Sequence, residues 1–82
     1  MKTNHRDTQT ALRELLFEAR KKAGLTQATL SKRLGRPQSF VAKVENGERR
    51  VDVLEFVRYA MALGLQPAKL LGKLHRAVSS WD

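Results

Sequence analysis

Apolar residues recur along this chain at spacings of three and four, and the strict alternation of a half-buried strand is absent. Leu12, Leu15, Leu16, Ala19 and Ala23 share one face of a helix predicted from about Thr8 to Ala23. Gly24 followed by apolar Leu25 supplies the C-terminal stop. Thr26 is a good N-cap for a second helix over about 27–34, with Leu30 and Leu34 on its inner face. Thr29 occupies the third helical position, so that cap lacks the reciprocal carboxylate of a full capping box. Gly35 ends the segment. A third helix is expected to start near Pro37, whose fixed φ suits a first turn. Arg36, preceding the proline, is pushed toward an extended conformation. Val41 and Val44 then face inward with Phe40 beside them, while Gln38, Ser39, Ala42 and Lys43 take the opposite face. Asn46-Gly47 is a turn signal. Asp52 and Glu55 form a capping-box pattern before a fourth helix, Val53 to about Leu63, striped by Val53, Phe56, Val57, Ala60 and Leu63. Pro67 opens a fifth helix that reaches about Ser79. Its stripe runs through Leu70, Leu71, Leu74, Ala77 and Val78 and ends at Trp81. Gly72 lies off that stripe and weakens the helix by about 1 kcal/mol relative to Ala. The pattern predicts an all-α fold of five helices with an extended C-terminal helix.

The chain has 82 residues, enough for one small domain. A polar, flexible stretch is expected over 1–7 and a single domain over 8–82. There is no Cys, which excludes disulfide staples and thiolate metal sites. His5 and His75 stand apart from any acidic cluster, so no metal or cofactor is expected. No nucleophile–base pair or glycine-rich phosphate loop is present, and no enzymatic activity is expected. The N-terminus has no signal-peptide core, and no apolar run approaches the roughly 20 residues that span a bilayer. The expected compartment is the cytoplasm, with no membrane partner.

Charge changes the picture. Sixteen Lys and Arg against eight Asp and Glu leave a formal net charge of +8. Between Arg20 and Arg50 nine basic residues face only Glu45 and Glu48. Such a field suits a polyanion, and nucleic acid is the commonest one. The join between the second and third helices gives that field a purpose. Two helices linked by a short glycine turn make a helix-turn-helix over 27–45. Its second helix fits a major groove roughly 12 Å wide. A close crossing needs a small residue on the first of the pair, met by Ser31, and a turn that tolerates positive φ, met by Gly35.

The run Leu25-Thr26-Gln27-Ala28-Thr29-Leu30-Ser31-Lys32-Arg33-Leu34-Gly35, followed by Pro37-Gln38-Ser39-Phe40-Val41-Ala42-Lys43-Val44-Glu45-Asn46-Gly47, closely resembles the Cro/lambda-repressor-like, or xenobiotic-response-element (XRE), family. The resemblance covers about residues 12 to 71. It implies a five-helix DNA-binding domain and symmetric dimers on palindromic operators. Ser31 stands where the family usually has Ala, and Thr29 where it usually has Glu.

On that resemblance Gln27 contacts a phosphate and buttresses the first reading residue. Gln38, Ser39 and Lys43 are the expected base contacts. Gln can bind adenine through two hydrogen bonds, and Lys can donate to guanine. Lys32, Arg36, Asn46, Arg49 and Arg50 are expected over phosphates. Phe40 is expected to pack, with contact to a thymine methyl as the lesser reading. The family pairs an arginine of the first helix with the Glu before Asn-Gly, which here makes Arg20 and Glu45 a structural ion pair. The apolar stripe through Leu74, Val78 and Trp81 exceeds what a five-helix core needs and is the expected dimer surface. The expected function is a sequence-specific transcriptional regulator, a repressor, bound to double-stranded DNA as a homodimer. The alternative is an antitoxin that binds its own operator and a toxin protein. RNA binding finds no stacking aromatics on a sheet to support it.

Overall fold

The computed structural model describes the backbone of residues 5–79 and the side chains of residues 8–79. Five helices follow in order: α1 (His5–Lys22), α2 (Gln27–Arg33), α3 (Ser39–Glu45), α4 (Val53–Ala62) and α5 (Pro67–Ser79). Each begins where a local signal permits. The Thr26 hydroxyl accepts from the Thr29 N–H at 3.0 Å and caps α2. Asp52 accepts from the Glu55 N–H at 2.8 Å, and Glu55 accepts from the Asp52 N–H at 3.0 Å, completing the capping box of α4.

Two boundaries differ from the periodicity. α1 begins at His5, three residues before the expected Thr8, so only residues 1–4 of the expected N-terminal stretch lie outside the described residues. α3 begins at Ser39 rather than near Pro37. Pro37 instead sits in a turn, its carbonyl accepting from the Phe40 N–H at 2.9 Å. Gln38 becomes the N-cap and makes no side-chain capping bond.

The missing cap is supplied from another helix. Ser31, on α2, is fully buried. Its hydroxyl accepts from the Val41 N–H at 3.1 Å and donates to the Gln38 carbonyl at 3.2 Å. The side chain needed to be small for the close crossing, and its oxygen also satisfies an orphan N–H in the first turn of α3.

The core is built from all five helices: Leu16, Leu30, Phe40, Val41, Val44, Phe56, Tyr59, Ala60, Leu63 and Leu70 are buried, with Leu12, Leu15, Ala19, Leu34 and Leu74 packed partly against them. Burying each large apolar side chain contributes on the order of 1.5–3 kcal/mol before entropy is charged. α2 packs on α3, and α1 packs on α3 and α5, while α4 leans on α5. The face that α4 buries is rotated from the expected stripe. Phe56, Tyr59, Ala60 and Leu63 point inward, whereas Val53 is 78% exposed. Val53 lies in the first turn, where the chain enters from solvent. Tyr59 completes the i, i+3, i+4, i+7 set that starts at Phe56.

Candidate nucleic-acid interface

α3 is divided lengthwise. Phe40, Val41 and Val44 are buried, and Gln38, Ser39 and Lys43 are exposed. Gln38 and Ser39 share a cleft of about 430 Å³ with Thr26, Gln27, Ala28 and Ala42. The starts of α2 and α3 therefore open onto one surface. Gly35 makes this possible, because its φ of +67° turns the chain between the helices through a conformation that side chains resist.

Arg20 and Glu45 meet as a bidentate pair at 2.7 and 2.9 Å, both side chains less than a tenth exposed. The remaining nitrogen of the Arg20 guanidinium donates to the Leu25 carbonyl at 2.8 Å. The hydrogen bonds that Arg20 donates to Glu45 hold its pKa above the ordinary value, against the opposing effect of burial. Glu45 accepts a third donor, the Gln27 amide, at 2.7 Å. One carboxylate thus ties the end of α1 and the start of α2 to the end of α3. This places the Gln27 amide against Glu45, a partner the sequence reading of a phosphate contact and a buttress did not include.

The basic residues around α3 fall into two groups. Lys32 and Arg50 are exposed, as is Asn46, the C-cap of α3. Arg36 and Arg49, expected over phosphates, pair with Glu55 at 2.8 and 2.6 Å. Their guanidinium groups also lie over the Phe40 ring, 4.6 and 5.1 Å from its centre. Phe40 is thereby enclosed between core and cations and is 7% exposed, as expected of a packing residue. The Arg49 hydrogen bonds, then the Asp52 N–H, lower the Glu55 pKa from 4.5 to about 2.

Two residues of this surface escaped the sequence reading. Glu55 was read only as a helix cap. The capping bond uses one of its oxygens, which leaves lone pairs for cations, and Arg49, six residues earlier, was the available signal. Arg13 was assigned no role from the sequence. Its guanidinium lies against Gly47, within 3.3 Å of where a Cβ would stand, at the turn that ends α3. Arg13, Asn46, Arg49 and Arg50 form the rim of a second cleft of about 380 Å³.

Among the described residues no His, Asp or Glu cluster could hold a metal ion, and no helix is long and apolar enough to cross a membrane. A family model described as helix-turn-helix matches residues 16–70. The chain belongs to this family. An XRE-family-like protein from Pseudomonas syringae pv. tomato is 51% identical, over 90% of this chain and 90% of that one, with a TM-score of 0.83. The restriction-modification controller protein C.AhdI from Aeromonas hydrophila is 32% identical over 83% of this chain and 99% of its own length, with a TM-score of 0.73. Another restriction-modification controller protein, 15% identical, shares the fold with a TM-score of 0.80. No curated protein matches. As a helix-turn-helix protein of the XRE type, the chain is an all-α, DNA-binding transcription regulator.

Proposed function

We propose that this regulator represses transcription as a symmetric homodimer on a palindromic operator in the cytoplasm, each subunit laying α3 in a major groove. The division of α3 carries this reading: a buried apolar side anchors the helix, and Gln38, Ser39 and Lys43 stand exposed at its start and along its outer face. Lys32, Asn46 and Arg50 then meet phosphates on either side of the groove, and Gln27 braces the reading residues from its seat on Glu45.

The dimer surface proposed here differs from the stripe expected in the sequence. Leu74 packs partly on its own subunit's core, Val78 is half-buried, and Trp81 lies outside the described residues. Of the exposed large apolar residues among those described, Val53, Leu54 and Met61 lie on α4 and Leu71 on α5, and these four are more exposed than Phe17 and Leu65, at 38% and 39%. Val53 and Leu71 line a groove of about 330 Å³ between the two helices, together with Phe56, Val57, Pro67 and Leu74 among others. A second copy on this face buries the patch and relates the two reading helices by a two-fold axis. Palindromic half-sites would then lie about 34–36 Å apart or a multiple of it.

Gln38→Ala tests the reading helix. A bidentate base contact contributes about 1–3 kcal/mol of discrimination. The variant is expected to bind a duplex selected from a random pool about 10- to 100-fold more weakly and scrambled DNA almost as well as before. Equal loss on both duplexes would show that Gln38 reads no base. The double variant Leu54→Glu, Leu71→Glu is expected to sediment as a monomer. A native chain that binds DNA yet sediments as a monomer sinks the dimer and favours the antitoxin reading, in which a toxin protein covers the same face.

A further inference from the structure

Arg36 precedes α3 and Arg49 follows it, so the two cations come from opposite flanks of the reading helix. Both converge on a single carboxylate. Arg49 donates to both Glu55 oxygens, at 3.1 and 2.6 Å, and Arg36 donates to one at 2.8 Å. Arg49 also donates to the Arg50 carbonyl. The Phe40 ring supports both guanidinium groups from below. Glu55 itself cannot swing away at little cost. Its side chain is 11% exposed, and the Asp52 N–H holds it at 3.0 Å in the capping box.

We propose that Glu55 limits the sequence-independent DNA affinity of this protein by holding Arg36 and Arg49 back from phosphates. The inference rests on the DNA-binding role of α3. A phosphate contact draws its affinity from released counterions and acts on every sequence alike. A guanidinium already joined to a fixed carboxylate must surrender charge-assisted hydrogen bonds before it can take a phosphate, and it leaves that carboxylate facing the DNA. Of the four basic residues expected over phosphates, Lys32 and Arg50 are therefore available, and Arg36 and Arg49 are withheld. The pair remains charged at physiological pH, because the Glu55 carboxyl titrates at about 2.

Glu55→Gln separates this role from the fold. Gln serves in a capping box as Glu does, so α4 keeps its cap while the charge is lost. Binding of the full chain to a duplex of random sequence is measured between about 50 and 200 mM salt. Each freed guanidinium is expected to steepen the salt slope by about one and tighten binding about fivefold at physiological salt. The variant should therefore gain about 5- to 30-fold, and adding Arg49→Gln should return part of that gain. Glu48→Gln removes an exposed acid from the loop that carries Arg49 and controls for net charge. An equal gain in that control reduces the effect to overall charge and overturns the proposal. An unchanged or weaker Glu55→Gln complex overturns it too, and makes Glu55 a strut that presents the arginines to DNA. Arg49→Gln in the otherwise native chain gives an independent reading that does not depend on how Glu55→Gln folds. The proposal expects its salt slope to stay within about half a unit of the native slope, and a fall of about one defeats it. Failure of the native chain to bind any duplex at low salt would remove the DNA-binding role itself, a result distinct from a native complex that Glu55→Gln leaves unaltered.

Discussion

The Ser31 hydroxyl serves as both acceptor and donor within the helix-turn-helix, receiving the Val41 N–H and giving its proton to the Gln38 carbonyl. Ala, the family's usual choice, has the size but not the oxygen. Ser31→Ala is expected to leave the Val41 N–H buried without that acceptor and to cost about 1–2 kcal/mol, a fall in Tm of several degrees for a chain this small. A melt equal to the native protein's would show that the hydroxyl adds nothing to the fit. Tyr59 presents the opposite case. Its ring is fully buried, yet its hydroxyl has no hydrogen-bond partner among the described residues. Burial, then the nearby Glu45 charge, pushes its pKa well above the ordinary tyrosine value. The ring stabilises and the hydroxyl is a cost. Tyr59→Phe is expected to be neutral or to stabilise by up to about 1 kcal/mol in thermal unfolding. A loss of 2 kcal/mol or more would mean that the hydroxyl is satisfied in solution.

At the scale of elements, the short helices α2 and α3 have seven residues each and could not persist alone. They hold through their packing and through Glu45, which receives Arg20 from α1 and Gln27 from α2. Breaking a buried pair from one side leaves a charge without its partner, at a cost on the order of 3–5 kcal/mol. Glu45→Ala is therefore expected to lower stability by about that amount, measured by denaturant unfolding. Once stability is restored by low temperature, its ranking of DNA sequences should match that of the native protein. A variant that melts normally but prefers different DNA would move Glu45 from the scaffold to the reading surface.

Over the whole molecule, an excess positive charge of +8 is useful to a DNA-binding protein and repels itself within a small fold. Glu55 relieves part of that repulsion by joining two arginines. Its pKa is depressed from 4.5 to about 2, so the stability it contributes is fully present above about 4.5 and is lost as pH falls toward 2. Native protein is expected to lose more stability than Glu55→Gln across that window, because the variant carries no carboxylate there to protonate. Parallel pH–stability curves for the two proteins would contradict the pairing of Glu55 with Arg36 and Arg49.

The five helices and most of their limits were legible in the sequence, because caps, turn glycines and apolar spacing act within about four residues. Thr26, Gly35, Asp52 and Glu55 each announce a boundary that the backbone obeys. The same local grammar, with Gln27 and Glu45-Asn46-Gly47 in register, made the helix-turn-helix readable. Where α4 turns its face was not legible. Val53 and Tyr59 are both compatible with a helical stripe, and only the position of α5 and the core decides that Tyr59 goes in and Val53 stays out. Nor was the fate of the arginines. A long cationic side chain has a wide reach, and its partner is whichever carboxylate the fold carries within that reach. Arg36 is 19 residues from Glu55, and the carboxylate reaches it only because the turn before α3 is brought to the start of α4. Local spacing wrote the helices, whereas the pairing of Arg36 with Glu55 required segments 19 residues apart to meet.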